Sequence, residues 1–427
     1  MIKTSHIAAA VIGSGLSGCA SLALADFISD SKTSLELRNY YFSRDFRDGG
    51  ASQSRREEWA QGFTLRVQSG FTEGPLGFGL DAMGMLGVKL DSSPDRSGTG
   101  LLPRGADKRA EDDYSKAALT AKARFAQSLV QVGGLSPQLP LLASNTSRLF
   151  AQVFTGAQWV SKDIDALTVT VGGVDSVKQR DSSNSEDLTI MSQQGAYSTS
   201  VSSDHLVYAG VDYQLLPSLV ISYQACELED FFRRDFYGVK FNKAAGRGKV
   251  FAEVRYFDAR DTGQQRVGEI DNRTVSSNLG YAIAGHSFSG GYQKAFGDTA
   301  YAYVGGSDTY LFSEMQVSTF AMAREQVWMA RYDYDFAALG VPGLAFNVRY
   351  VKGDEVDPSA IRTSKAAALR AAGEEGKEWE RTTDIAYVVQ DGPLKNLGVR
   401  WRYATNRSDY ADSADEHRVI LSYVMSF

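Results

Sequence analysis

Several cationic side chains occur at spacings that would align them on one face of extended chain. Arg400 and Arg402 stand two apart between Val399, Trp401 and Tyr403. Arg349 lies between Val348 and Tyr350, and Arg418 heads a run in which Val419, Leu421, Tyr423, Met425 and Phe427 alternate with smaller or more polar residues. Arg38, Lys122 and Arg124 follow the same parity on earlier segments. In a strand, residues two apart share a face about 7 Å apart. Guanidinium groups so placed can replace the hydration shell of a carboxylate with bidentate, charge-assisted hydrogen bonds. Successive sites would let an anion move from one to the next without a deep trap. The plainer reading is that each arginine only braces the structure against a carboxylate such as Asp333, Asp335 or Asp384.

The elements that must hold these residues are strands, because the dominant period along the chain is two. Leu397, Val399, Trp401 and Tyr403 alternate with Gly398, Arg400, Arg402 and Ala404, and Trp328, Ala330, Tyr332 and Tyr334 with Met329, Arg331, Asp333 and Asp335. About eighteen such segments can be counted, beginning near residues 33, 58, 75, 113, 127, 149, 165, 203, 218, 230, 248, 274, 286, 325, 343, 380, 395 and 416. Their connections alternate in length. Short ones fall near 71–74, 161–165, 215–217, 243–247, 337–342 and 391–394; long polar ones near 45–57, 91–112, 134–148, 174–202, 261–273, 297–324, 353–379 and 406–415. A sandwich with one wet face would also alternate, but it has no reason to segregate its loops. Short turns opposite long loops, an even strand count and aromatic residues at strand ends belong to a membrane-spanning β-barrel. Polarity then assigns the faces, since a charge on the lipid side near the midplane costs about 2–4 kcal/mol. The arginines must face the lumen. The stretch 365–378, rich in Ala, Glu and Lys, could hold a short helix within a long loop, and a solvated loop is the expected form.

The chain has 427 residues, and its mean hydropathy of −0.26 alone would suit a soluble protein. Lys3, the apolar or small run from Ile7 to Leu24, and Ala23-Leu24-Ala25 have the form of a secretory signal peptide over residues 1–25. The barrel domain is then 26–427. Leu16-Ser17-Gly18-Cys19 also resembles a lipoprotein box, which would place a lipid on Cys19; the later site leads directly into the first strand. Without residues 1–25 the chain carries 44 basic and 51 acidic residues, and only Cys226 remains, so no internal disulfide forms. Net acidity argues against nucleic acid as a partner. Metal, haem and nucleotide motifs are absent, so no cofactor or metal is expected. A barrel hydrolase would need a nucleophile paired with a histidine, and His205, His286 and His417 have no motif-like serine neighbour. A plugged binding or adhesion barrel would need a plug domain, and none precedes the first strand.

Several stretches resemble the OprD-type family of outer-membrane channels of Gram-negative bacteria. They include Arg38-Asn39-Tyr40-Tyr41-Phe42-Ser43-Arg44-Asp45, Trp59-Ala60-Gln61-Gly62-Phe63, Gly98-Thr99-Gly100-Leu101-Leu102-Pro103, Thr146-Ser147-Arg148-Leu149-Phe150 and Tyr387-Val388-Val389-Gln390-Asp391-Gly392-Pro393. They stand in family order across nearly the whole chain. The resemblance implies an all-β, eighteen-stranded antiparallel barrel, monomeric, whose third and seventh long loops fold into the pore. It implies passive uptake of small carboxylate-bearing solutes, such as amino acids and aromatic acids, along a basic ladder. The motif match puts Arg400, Arg402 and Arg418 on that ladder and Arg148 in the third loop. On the opposite wall it puts Ser307 and Asp308, within Gly305-Gly306-Ser307-Asp308-Thr309-Tyr310 of the seventh. Where relatives taking basic amino acids carry a lysine before Tyr387, this chain has Ala386. The remaining expected partners are outer-membrane lipid and lipopolysaccharide, and the outer-membrane insertion machinery through Phe427, with both termini periplasmic.

Overall fold

A computed structural model describes residues 27–48 and 51–427. The leader expected over residues 1–25, Cys19 included, lies outside the described residues. Eighteen antiparallel strands form one closed sheet. In chain order they begin with β1 (Lys32–Phe46), β2 (Arg55–Gln68), β3 (Leu76–Asp91), β4 (Asp113–Phe125) and β5 (Ser128–Leu135). A small hairpin, β6 (Gln138–Leu139) and β7 (Leu142–Ala143), interrupts them. The barrel resumes with β8 (Val153–Ile164), β9 (Leu167–Lys178), β10 (Leu206–Leu216), β11 (Leu219–Leu228), β12 (Phe232–Ala245), β13 (Gly248–Asp261) and β14 (Asp271–Ile283). It ends with β15 (His286–Phe296), β16 (Gln326–Asp335), β17 (Leu344–Val356), β18 (Gly376–Val388), β19 (Gly398–Ser408) and β20 (Ala414–Ser426). Strand β1 pairs with both β2 and β20, which closes the ring and leaves no open edge.

The period-two pattern is realised as two faces. Phe78, Leu119, Phe288, Trp328, Tyr350 and Trp401 point outward and are exposed; their alternating neighbours line the lumen. One rim carries short turns, the other the long loops. On the long-loop rim, L2 spans 92–112, L3 136–152, L4 179–205, L7 297–325 and L8 357–375; one connection there, 229–231, is short.

The hydrophobic core lies inside the barrel rather than between layers. Leu141 and Leu142 of L3, Leu188 and Ile190 of L4, and Tyr301, Val304 and Leu311 of L7 pack against inward residues of β8–β13, among them Phe154, Tyr208, Phe236 and Phe257. The loops therefore fill the lumen on that side at the long-loop end. A smaller cluster seats Leu101, Leu102, Leu149 and Phe150 against Tyr40, Phe42 and Tyr114. Gly62 makes room for it, since a Cβ there would stand 3.0 Å from Leu149. What remains open is bounded mainly by β16–β20 and β1.

The expectation of a plain loop over 365–378 is corrected. A helix, α1 (Ser364–Ala372), forms there. The Thr363 side chain accepts from the Ala366 amide and Gly373 closes the helix in the left-handed conformation. Ala366 and Leu369 bury one side against Met322, Ile361 and Tyr410. Good caps and an alanine-rich run decide for helix once that apolar floor exists, and strand periodicity could not reveal the floor.

Candidate functional site

The arginines singled out by parity gather on one wall of the lumen. Arg402 stands opposite Asp384 on β18 and opposite Arg418 on β20, and Arg418 opposite Phe42 on β1. One level toward the short turns, Arg400 stands opposite Ala386 and Ile420. Arg38 faces Ser422 one level further. The wall is thus a staircase, and three of its carboxylates are each shared by two arginines. Asp384 takes Arg400 at 2.6 Å and Arg402 at 2.8 Å. Glu416 takes Arg418 and Arg44, both at 2.5 Å. Glu36 takes Arg38 at 2.6 Å and Arg66 at 3.1 Å. Six guanidiniums over three carboxylates leave an excess of three positive charges. The Arg402 Nε–H is moreover not directed at Asp384 and has no hydrogen-bond partner among the described residues.

The loops complete the opposite side. Arg148 of L3 receives the Arg38 guanidinium at its carbonyl, 2.9 Å, and holds the Thr99 carbonyl of L2 through its own Nε, 3.0 Å. The guanidiniums of Arg148, Arg418 and Arg44 lie 4.9, 5.0 and 5.7 Å from the Phe42 ring centre, so one aromatic ring helps hold three cations. L3 and L7 are latched to each other. The Asp308 amide donates to the Ala143 carbonyl at 2.9 Å, and Asn145 donates to the Asp308 carboxylate at 2.5 Å. L7 is tied to the wall as well, since Arg349 donates to the Phe312 carbonyl at 2.6 Å and Arg418 to that of Gln316 at 3.0 Å.

Below L7, toward the short turns, a chamber of about 630 Å³ opens. Arg331, Arg349, Arg400 and Arg402 line it beside Asp333 and Asp384, and Glu314, Met315 and Gln316 roof it. That volume is in the range of small-ligand sites.

Not every expected residue joins this group. Lys122 and Arg124 face inward, but on β4 beside the short turn, where both lie over the Phe71 ring and Lys122 is paired with Asp81 at 2.5 Å. The Ser307 hydroxyl is buried and donates to the Val304 carbonyl at 2.7 Å, which commits it to the turn. Two cations at the centre escaped the sequence reading. Arg180 of L4 reaches Asn145 at 3.0 Å and Ser147 at 3.1 Å; L4 is irregular, and no periodicity could place it. Arg331 has the inward parity but is held by Asp333 through two bonds, of 2.7 and 2.6 Å.

Asp308 is expected to make the latch between L3 and L7 sensitive to pH. Burial, then the Glu314 carboxylate beside it, pushes its carboxyl up to about 7, against the opposing pull of Arg180 and Arg148. Below that pH the group is neutral; above it a negative charge stands at the junction of L3 and L7, facing Asn145 and Arg148 of L3, Arg180 of L4 and Glu314 of its own loop. Anion-over-cation selectivity is expected to fall as pH rises through about 7. Reversal potentials across planar bilayers measure this, and Asp308→Asn should flatten the curve. An unchanged pH profile in that variant would assign the step to another group.

Comparison with known proteins gives one answer over nearly the whole chain. Residues 25–427 match the profile of the family described as outer membrane porin, OprD family. The porin-like protein GalP of Pseudomonas putida is 35% identical over 410 residues, which cover 95% of this chain and 94% of that protein. The crystal structure of Pseudomonas aeruginosa OccK9 (OpdG) superposes with a TM-score of 0.88 at 42% identity, covering 94% of this chain and 100% of the other. That of Pseudomonas aeruginosa OpdK with vanillate gives 0.86 at 38% identity, with the same coverage.

Proposed function

Because the chain belongs to the OprD family of outer membrane porins, we propose that it is a passive channel selecting small carboxylate-bearing solutes, amino acids and aromatic acids among them. The porin function and the absence of catalysis follow from the family. The histidines agree with this, since His286 and His417 pack against Tyr334 and Tyr403 on the outer face and His205 pairs with Glu229 on the long-loop rim.

The observation that carries the carboxylate reading is the sharing of Asp384, Glu416 and Glu36 by two guanidiniums each. Arginines that only braced the barrel would be matched one to one. Here each tier keeps donors for an arriving anion. The chamber below L7 suits a solute the size of an aromatic acid, and the related OpdK was solved with vanillate, an aromatic carboxylate. The short-turn rim, with Lys32 and Phe427, faces the periplasm, and the long loops face outward. Residues 1–25 act as the export signal, and the barrel works as a monomer, as the resemblance to the family implies.

Swelling of liposomes containing the pure protein tests the selectivity. Carboxylates such as benzoate should enter several-fold faster than amides of equal size, with cationic amines slowest. Equal rates for benzoate and benzamide would sink the reading.

A further inference from the structure

The outer surface carries cations that the pore does not use. On β12–β14, at the long-loop rim, each outward arginine has an acid two residues away on its own strand. Arg233 has Asp235 at 3.4 Å, Arg260 has Asp258 at 3.3 Å and Arg273 has Asp271 at 3.8 Å. The outward face of β18 differs. Lys377, Trp379 and Arg381 alternate along it, and the side chains of Lys377 and Arg381 are exposed with no ion pair or hydrogen bond among the described residues. Lys352 of β17 and Arg407 of β19 stand opposite Trp379 on either side. Their carboxylates do not serve Arg381, because Asp354 holds Lys352 at 2.9 Å and Asp415 is divided between Arg407 at 2.7 Å and Arg47 at 2.6 Å.

The depth of the patch identifies its partner. Arg381 pairs in register with Tyr350, and the next outward residues toward the short turns are Thr383, Ile385 and Tyr387, opposite Val348, Phe346 and Leu344. Arg381 therefore marks the upper edge of the apolar band. The Tyr350 and Trp379 rings stack there, 6.0 Å apart, as aromatic residues do at a headgroup boundary. A lipid-facing arginine is tolerated at that depth only beside water or an anion. We propose that Lys377 and Arg381, flanked by Lys352 and Arg407, bind the phosphates of lipid A in the outer leaflet, with acyl chains lying against Tyr350 and Val348. Basic clusters at a membrane interface recognise anionic headgroups in this way. The proposal rests on the long loops facing outward.

The test uses the full barrel in detergent, with diphosphoryl lipid A as probe and native mass spectrometry as readout. Wild type should retain the lipid, and Lys377→Ala with Arg381→Ala should weaken retention at least about tenfold. Arg233→Ala with Arg260→Ala should leave it unchanged. Dephosphorylated lipid A should bind poorly, and inorganic phosphate at equal concentration should not displace the diphosphoryl form. Equal retention by wild type and the Lys377/Arg381 variant, or displacement by free phosphate alone, overturns the proposal. Heat-modifiable migration in gels confirms that each variant is folded, and benzoate flux should be unaltered because the patch lies outside the lumen. Labelling a cysteine placed at Ala371 with an impermeant maleimide in intact cells checks the orientation separately. Labelling together with lost lipid specificity would reject the lipid site alone; absence of labelling would reject the orientation and the lipid A site with it.

Discussion

Replacing Arg400 and Arg402 together by alanine should lower carboxylate flux at least about tenfold, with the barrel remaining folded and heat-modifiable. A charge-assisted hydrogen bond contributes about 1.5–3 kcal/mol, and each 1.4 kcal/mol is about a factor of ten. The two side chains are 48% and 30% exposed, so their removal opens no void in the packed interior. What it leaves is Asp384, unpaired and facing the chamber. The local charge changes from one positive to one negative, and selectivity should move toward cations as flux of anions drops. The triple variant that adds Asp384→Asn separates two explanations. If the arginines act on the solute, the triple variant stays slow for carboxylates but loses the cation preference. If they only neutralise Asp384, the triple variant recovers wild-type flux. Unchanged uptake of every carboxylate in the double variant would remove Arg400 and Arg402 from the path altogether. Swelling rates and reversal potentials on the same preparations give both readouts.

The strands and the inward direction of these arginines were legible because both depend on local order. Parity alone decides whether Arg400 meets lipid or lumen, and the energetic difference is large. Parity does not say which part of the lumen stays open. That depends on L3, L4 and L7 packing against β8–β13, through contacts such as Arg234 to the carbonyls of Leu141 and Ala302, which are 93 and 68 residues away. Arg38 meets the Arg148 carbonyl across 110 residues, and no periodicity spans that distance. The same limit hid Arg180, the commitment of Ser307 to its own turn, and the floor beneath α1. Lys122 and Arg124 show the opposite failure. Their face was readable, but height and position around the ring were not, because those follow from the register of every strand between β4 and β20.

The side chain with the greatest leverage over the pore is one that no anion needs to touch. Glu380 on β18 is fully buried, and its carboxylate accepts from three consecutive amides of L7. These are Gln316 at 2.9 Å, Val317 at 3.1 Å and Ser318 at 2.8 Å. It holds the segment that roofs the chamber and supplies the Gln316 carbonyl to Arg418. Glu380→Ala would leave three buried donors without partners, at about 1–3 kcal/mol each. The loop should escape that cost by lifting from the wall, since water can then reach the amides. Within the segment, among the described residues, only Arg418 to the Gln316 carbonyl and the Ser318 hydroxyl to Glu378 remain, while ties from Arg255 to Tyr310 and from Arg349 to Phe312 keep the preceding part of L7 in place. Single-channel recordings should therefore show a larger and noisier open current, together with weaker discrimination between benzoate and benzamide. Glu380→Gln keeps one acceptor oxygen but turns an amide group toward the backbone donors, so its current should fall between the two. The barrel strands do not depend on this tether, and gel migration should stay that of a folded barrel. A quiet channel of wild-type conductance in Glu380→Ala would mean that the packing of L7 against β8–β13 holds the constriction by itself.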